Sequence, residues 1–381
     1  MKIGFLTPEF PSQKTGNSGG IGTSIRNLSA GLLALGHEVS ILIYNQNSDE
    51  VYNENGLEIY RIKNIKIKGL SHVLTQYKIT KLVNNLYQNK KLDILEIPDW
   101  TGFMAFFKPK CPMIVKLHGS DTYFCYLENR KVKPKNKWFE KQNLKKADGV
   151  IAVSDFVAQI SQKVFDYNFD YTVIPNGIAM PNHVQIQEPK AKTILYFGTL
   201  IRKKGALEIP HIFNKVFAND SAVQLVLIGK DAPDISTNSA STWQLMQPLF
   251  SKKALQNVSY LGAISHAEIF SKINEATICI FPSFAEAFPV SWLEAMALEK
   301  PIVASNIGWA KEMIEDGENG YLVNPKSHSD FAEKICILLN NKDLGERLGK
   351  NAKEKVLTHF SNEIIAKQNC DFYQKIISKC S

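Results

Sequence analysis

The sequence predicts an α/β protein made of two Rossmann-like, doubly wound domains with a cleft between them. Short apolar runs alternate with helix-length segments along the whole chain, and this alternation is typical of repeated β-α-β units with parallel strands. It stops at the turn signal Pro175-Asn176-Gly177 and starts again after a polar stretch that contains Pro181 and Pro189. A chain of 381 residues is also long enough for two domains of ordinary size.

The apolar runs are the expected strands of each domain. In the first domain, residues 1–180, they are 2–7, 38–44, 57–62, 93–97, 113–118, 149–154 and 171–175. In the second domain, residues 190–360, they are 193–198, 223–229, 258–262, 276–282, 301–305 and 320–323. Helices are expected over 20–35 and 290–298. Ligands of such sheets bind at the carboxyl ends of the strands, so functional residues are expected in the loops that follow them.

The composition is that of a soluble globular protein, with 44% hydrophobic and 22% charged residues. No apolar run reaches the roughly 18 residues of a spanning helix. The N-terminal MKIGFLTPEF lacks the basic and apolar regions of a signal peptide. The six cysteines form no CxxC pair, as expected for isolated thiols in a reducing compartment. Together these features predict a cytoplasmic protein.

The net charge of +8 is concentrated in the first domain, where 23 Lys and Arg stand against 16 Asp and Glu. Two stretches, Arg61–Lys91 and Arg130–Lys146, carry most of the excess. A basic half favours an anionic partner such as phosphate, a membrane surface or nucleic acid. The absence of zinc-finger and RNP-like patterns disfavours nucleic acid. The alternative is a solvated lysine surface without a partner.

The segment 282–305, PSFAEAFPVSWLEAMALEKPIVAS, contains the strongest candidate site. It leads from an expected strand through a loop with Glu286 into an expected helix that carries Glu294. Pro289 suits a first helical turn, and N–H groups from about Phe288 to Val290 can bind phosphate with help from the helix dipole. Carboxylates accept hydrogen bonds from sugar hydroxyls. From the spacing alone, two exposed surface acids would be the simpler interpretation.

The segment 196–205, YFGTLIRKKG, is a second candidate. A strand is expected to end at Gly198 and a helix to begin after Gly205. Arg202, Lys203 and Lys204 lie between them, where cations can neutralise a diphosphate leaving group. The alternative is a basic loop without a ligand.

A glycine-rich loop follows the first expected strand and precedes the first expected helix. It contains Gly19 and Gly20, whose backbone can approach a ligand closely. The loop matches neither a GxGxxG nor a Walker pattern. An ordinary strand-to-helix turn is therefore an equal alternative.

Two further candidates follow strands of the first domain. In LHGSD, His118 ends a strand and Asp121 lies three residues on. In EIPDW, Asp99 and Trp100 could form the floor of an acceptor sugar site, because an aromatic face suits a sugar ring. A lone histidine and a lone tryptophan are both more often structural than functional.

The 282–305 segment closely resembles the E-x7-E signature of the family 4 glycosyltransferases, which have the GT-B fold. The resemblance implies that Glu286 lies near the transferred sugar and that Glu294 binds the nucleotide ribose. Ala287 stands where many members have glycine. The 196–205 segment resembles the family's GR-L-x-x-x-KG motif, with Lys204 matching its lysine. Thr199 occupies the usual arginine position, so Lys203 or Arg202 would have to supply the second charge.

The resemblance extends over nearly the whole chain. It implies that the glycine loop approaches the donor diphosphate, that His118 approaches the transferred sugar, and that Asp121 orients His118 or binds acceptor. It further implies that Leu261 to Ile264 hold the base through backbone groups, and that a last helix over 361–381 returns to the first domain. No DxD triplet or metal-ligand spacing occurs, so we expect neither a cofactor nor a required metal.

The implied activity is retaining transfer of a hexose-type sugar from a nucleotide diphosphate sugar, with the two domains closing over the donor. The acceptor is expected to be a glycan or a lipid-linked glycan at an anionic membrane surface, in polysaccharide or lipopolysaccharide biosynthesis at the cell surface. A sugar-nucleotide epimerase and a non-catalytic nucleotide-sugar-binding protein are the alternatives. The base, the sugar and the acceptor are not fixed by the residue types.

Overall fold

The computed structural model describes residues 1–16, 18–180 and 192–380. Asn17 of the glycine loop and the stretch that contains Pro181 and Pro189 lie outside the described residues. The chain forms two compact units. The first comprises Met1–Ala179 and Phe360–Ser381, and the second comprises Met180–His359.

The first unit contains an eight-stranded sheet with the order β3-β4-β2-β1-β5-β6-β7-β8. Its strands are β1 (Lys2–Thr7), β2 (Glu38–Gln46), β3 (Glu50–Glu54), β4 (Leu57–Lys63), β5 (Ile94–Pro98), β6 (Met113–Leu117), β7 (Gly149–Ala152) and β8 (Thr172–Val173). The described strands pair in parallel except for β3 and β4, which form an antiparallel hairpin. The predicted α/β class with parallel strands is thus confirmed for this unit.

Helices that lie between these strands in the sequence accompany the sheet, and the predicted helix over 20–35 is confirmed. They are α1 (Gly20–Ala34), α2 (Ser71–Gln88), α3 (Asp121–Leu127), α4 (Pro134–Lys146) and α5 (Asp155–Phe165). Apolar side chains of α1 and of the central strands share one buried cluster, in which Phe5, Leu32 and Ile41 are fully enclosed. The rigid sheet core therefore fixes the loops at the carboxyl ends of its strands.

The second unit contains a six-stranded parallel sheet with the order β11-β10-β9-β12-β13-β14. Its strands are β9 (Thr193–Phe197), β10 (Gln224–Ile228), β11 (Val258–Tyr260), β12 (Ile278–Phe281), β13 (Ile302–Ser305) and β14 (Tyr321–Val323). Its helices are α6 (Ile209–Asn219), α7 (Thr242–Met246), α8 (Lys252–Leu255), α9 (His266–Glu275), α10 (Val290–Ala297), α11 (Ala310–Met313), α12 (His328–Asn340) and α13 (Lys342–Lys355).

The last helix, α14 (Asn362–Cys380), is part of the first unit. Ile365 and Tyr373 of this helix belong to the buried cluster of the first sheet, and the Tyr373 hydroxyl donates to Glu96 of β5 at 2.5 Å. At Gly31 of α1, a Cβ atom would lie 2.8 Å from the Asn362 carbonyl oxygen. The absent side chain lets α1 and α14 approach each other closely.

The predicted motifs lie at the topological switch point of each sheet. At this point the chain stops adding strands on one side of the first strand and starts adding them on the other side. In the second unit, β10 and β11 lie on one side of β9, and β12 lies on its other side. In the first unit the same reversal separates β1 from β5. Open α/β sheets bind ligands at the carboxyl ends of the strands beside such reversals. The motifs after β9, β12, β1 and β5 all lie at these positions.

Candidate active site

The second unit brings together the two charged residues predicted to act on the donor. Lys204 lies in a short helical turn after β9, and Glu286 lies in the loop between β12 and α10. The Lys204 Nζ is 2.8 Å from the Glu286 Oε1, with the side chains 23% and 11% exposed. The predicted cation and the predicted sugar-binding carboxylate therefore form one partly buried ion pair.

The backbone of the two loops explains this proximity. Gly205 has a φ of 71°, and a Cβ atom there would lie 1.8 Å from the carbonyl oxygen of Pro282. The Lys203 carbonyl accepts hydrogen bonds from the backbone N–H groups of Phe284 at 2.8 Å and Ala285 at 3.1 Å. Because only glycine fits so close to the Pro282 carbonyl, Gly205 lets the lysine turn pack against the Glu286 loop. Gly198, at the end of β9, lies beside the ammonium group of Lys204.

Arg202 is held by a partner that the sequence did not reveal. Its guanidinium donates two hydrogen bonds of 2.8 Å to the carboxylate of Asp234, and this bonding lowers the pKa of Asp234 to about 2. A bidentate arginine is fixed in direction, and its charge is balanced. Arg202, one of the two bases considered as substitutes for the arginine missing at Thr199, is therefore already paired with a carboxylate.

The start of α10 lies beside Glu286 and matches the predicted helix. Its first residue is Val290, preceded by Pro289, and the side chains of Phe288 and Val290 are buried. Because proline has no N–H group, Phe288 and Val290 are the members of the expected 288–290 set that carry a backbone donor. These donors and the helix dipole favour an anion at this end of α10.

Glu294 is the fifth residue of α10, just over one turn from its start, and is buried. Its Oε1 is 2.8 Å from the Nε2 of His266, the first residue of α9. His266 follows the segment expected to hold the base, in which Leu261 is exposed and Ile264 is half-buried. His266 was not predicted from the sequence, since its contact with Glu294 spans 28 residues of the chain.

In the first unit, the structure joins Asp99 to His118. The Asp99 Oδ1 accepts a hydrogen bond of 2.9 Å from the His118 backbone N–H. Burial raises the pKa of the Asp99 carboxyl to about 8 and lowers the pKa of the His118 imidazole to about 3. Near pH 7, Asp99 is largely protonated and His118 is neutral. His118 can therefore bind a sugar hydroxyl without carrying a charge.

The other predicted acceptor residues lie nearby. Trp100 is half-buried and begins a helical turn in which Thr101 has a φ of 57°. A β-branched residue rarely adopts this conformation, and such strain is often found at functional sites. Asp121 begins α3 and accepts a hydrogen bond of 2.9 Å from Asn136. The carboxyl group that contacts the His118 backbone is Asp99. The expectation that Asp121 orients His118 or binds acceptor stays a prediction.

The glycine loop already holds a carboxylate. Backbone N–H groups of Gly19 and Gly22 donate to Glu9 at 3.0 and 3.2 Å, and Gly20 is the first residue of α1. The amide groups at the start of α1 therefore stabilise negative charge, as expected for a helix N-terminus. Glu9 was not singled out from the sequence, because only its position after β1 relates it to the loop.

Two family models match successive halves of the chain. The model of "Glycosyltransferase Family 4" matches residues 18–180, and that of "Glycosyl transferases group 1" matches residues 181–355. An uncharacterised glycosyltransferase of Methanocaldococcus jannaschii is 27% identical over 295 residues, which is 76% of each chain. A capsular polysaccharide biosynthesis glycosyltransferase of Staphylococcus aureus is 27% identical over 184 residues, 48% of this chain and 46% of its own.

The fold is shared with solved GT-B structures. The crystal structure of Anabaena HepE in complex with UDP-glucose superposes with a TM-score of 0.73 at 19% identity, covering 98% of this chain and 100% of HepE. The predicted GT-B class is thereby confirmed. With both halves matched by family models, the chain belongs to the family 4 glycosyltransferases.

Proposed function

We propose that the protein is a retaining hexosyltransferase that uses a nucleotide diphosphate sugar as donor. The observation that carries this proposal is the Lys204–Glu286 pair at the reversal point of the second sheet, beside the start of α10. A cation, a set of backbone donors and a carboxylate in one place suit a diphosphate and the hydroxyls of its sugar. The UDP-glucose bound by HepE, which shares the fold, supports this donor class.

The chemistry follows from the charges. As the bond between the sugar and the diphosphate breaks, negative charge grows on the leaving phosphate. Lys204 and the N–H groups of Phe288 and Val290 would stabilise that charge without forming a covalent bond. Glu286 would accept hydrogen bonds from sugar hydroxyls. The acceptor oxygen would attack the face from which the diphosphate leaves and pass its proton to that phosphate, so the anomeric configuration is retained.

The test is donor turnover followed by proton NMR. The protein is mixed with UDP-, GDP- and ADP-hexoses, and anomeric signals of the released or transferred sugar are recorded before mutarotation. We expect one donor to be consumed with the anomeric configuration retained. An inverted product contradicts the retaining mechanism. An epimerised sugar supports the epimerase alternative, and binding without turnover supports the non-catalytic alternative.

We further propose that the acceptor is a glycan or lipid-linked glycan met at an anionic membrane surface. The capsular polysaccharide role named for the S. aureus relative supports an acceptor of this kind. No helix in the described part of the chain has the length and apolar character needed to cross a membrane. We place the contact with lipid on the surface of the first unit, because the excess of Lys and Arg lies within residues 1–180.

That surface carries an aromatic–basic patch on α2, α4 and the 103–108 segment between β5 and β6. Tyr77, Phe106 and Trp138 are exposed there beside lysines of both basic stretches, and Ile67 and Leu70 are exposed in the turn that precedes α2. The rings of Phe106 and Trp138 are 5.9 Å apart, and the Phe106 N–H donates to Gln76 of α2. Apolar groups interleaved with cations suit the interface of an anionic bilayer.

Vesicle sedimentation tests this second proposal. We expect binding to vesicles that contain phosphatidylglycerol, little binding to pure phosphatidylcholine vesicles, and release by salt. Trp138→Ser should weaken binding. The matched control Ile235→Ser, which alters an apolar side chain of the second unit that is 70% exposed, should not. Binding that depends on neither lipid charge nor salt would contradict the proposal.

A further inference from the structure

His266 and Glu294 connect two loops of the second unit that are far apart in sequence. His266 starts α9, which follows the 261–264 segment, and Glu294 lies in α10. Their Nε2 and Oε1 atoms are 2.8 Å apart. The side chain of Glu294 is 9% exposed, whereas that of His266 is 39% exposed. A nearly buried carboxylate is thus held from one side by a more exposed imidazole.

The position of His266 is itself fixed. Ser265 caps α9 through its side chain, and the Glu268 carboxylate accepts a hydrogen bond from the Ser265 N–H, so the first turn of the helix is closed by a capping box. The His266 ring packs edge-on against Phe270, one turn along, with ring centroids 4.7 Å apart. The imidazole therefore approaches Glu294 from a fixed direction.

A purely stabilising role is a weak explanation for this pair. A contact with one partner more than a third exposed contributes little to folding, because water screens it. The contact has a larger effect on the orientation of the Glu294 carboxylate. An ionised carboxylate offers about four acceptor positions, and one hydrogen bond from His266 fixes the side chain while leaving the others open.

We infer that His266 is a positioning residue that orients Glu294 toward the ribose hydroxyls of the donor and ties that contact to the neighbouring 261–264 segment. The inference rests on the proposed function and on the expectation from the family resemblance that Glu294 binds the nucleotide ribose. His266 would touch Glu294 and not the reacting atoms. Its loss should therefore weaken donor binding while the chemical step keeps its rate.

The test uses donor kinetics of the full chain. In His266→Ala, we expect the donor KM to rise about tenfold with kcat changed less than about twofold, the sign of lost ground-state binding. His266→Gln keeps an N–H group at similar reach and should recover most of the affinity. Lys272→Ala, which removes an ion pair within the same helix, is the matched control and should keep the wild-type KM. Equal KM values for His266→Ala and wild type would overturn the inference.

A second readout separates positioning from general damage. Binding of UDP, GDP and ADP and of their 2′-deoxy analogues is measured by calorimetry. We expect wild type to prefer the ribose form of the nucleotide that it binds, and His266→Ala to lose most of that preference. Equal weakening of both forms would overturn the inference.

Glu294→Gln distinguishes failure of this inference from failure of the proposed function. If Glu294→Gln loses the ribose preference and His266→Ala keeps it, Glu294 binds ribose without His266, and only the inference fails. If Glu294→Gln keeps the preference, or if wild type binds none of the three nucleotides, the donor model fails and the inference fails with it.

Discussion

Asp99 is a carboxyl group whose usual charge is suppressed by burial. It is 2% exposed, and its Oδ2 is buried without a hydrogen-bond partner among the residues that the structure describes. With the pKa raised to about 8, the neutral acid is the stable form near pH 7. The neutral carboxyl keeps an O–H donor at the carboxyl end of β5, beside His118. A donor at this position suits the predicted acceptor role of Asp99.

The pH dependence of stability follows with a definite sign. A carboxyl with a raised pKa in the folded state stabilises the protein below its unfolded pKa, and this stability is lost as pH rises toward 8. An asparagine in place of Asp99 would stay neutral at every pH. We predict that the free energy of unfolding of Asp99→Asn, relative to that of wild type, rises by about 2–3 kcal/mol as the pH is raised from 5 to 7. Urea unfolding at each pH measures this difference. A difference between the two proteins that stays constant with pH would contradict the raised pKa.

Residue-level contacts were the least predictable from the sequence. Lys204 and Glu286 were expected to act on the same donor because their segments resemble two motifs of one family. Asp234 was not foreseen as the partner of Arg202, nor His266 as the partner of Glu294. These contacts span 32 and 28 residues, and no local pattern records which side chains of distant loops meet.

At the scale of elements, the turn after β9 depends on one glycine. Gly205 has a left-handed φ and touches the backbone of Pro282. We predict that Gly205→Ala costs at least about 2 kcal/mol and weakens nucleotide binding, because the new methyl group would push the lysine turn away from the Glu286 loop. Thermal unfolding and nucleotide titration measure the two effects.

Gly317→Ala is the matched control for that variant. Gly317 has a similar φ of 80° but nothing within 4 Å of a Cβ position. The Gly317→Ala variant should lose about 1 kcal/mol of unfolding free energy from backbone strain alone and keep nucleotide binding. If both variants behave alike, the close contact between Gly205 and Pro282 is not what holds the two loops together.

Elements with an apolar pattern were predictable, and those without one were not. The runs at 2–7, 57–62 and 301–305 all became strands within a residue or two at each end, since buried parallel strands read as continuous apolar stretches. Strand β3 was missed because Glu50–Glu54 is polar and partly exposed. The Asn55-Gly56 turn, with φ of 52° and 81°, is the hairpin signal that could have revealed it.

At the scale of the whole molecule, the last helix completes the first unit. The side chain of Ile365 in α14 is 1% exposed within the core of that unit. We predict that Ile365→Ala destabilises the first unit by about 2–5 kcal/mol because it leaves a cavity, measured by urea unfolding. Nucleotide binding by the second unit should persist in this variant.

Val51→Ala is the control, since Val51 is 57% exposed in the same unit. Val51→Ala should lower the free energy of unfolding by no more than about 1 kcal/mol. If Ile365→Ala abolishes nucleotide binding as well as lowering stability, the two units do not fold independently.

The measurement that tests the central claim most directly is the rate of nucleotide diphosphate release from the preferred donor in Lys204→Ala and Glu286→Ala. We predict that each variant is about 10²–10³-fold slower than wild type, because each removes a group that acts on the leaving diphosphate or on its sugar. Lys353→Ala, which breaks a 2.7 Å ion pair elsewhere in the second unit, should keep the wild-type rate. Unchanged release by both Lys204→Ala and Glu286→Ala would contradict the account.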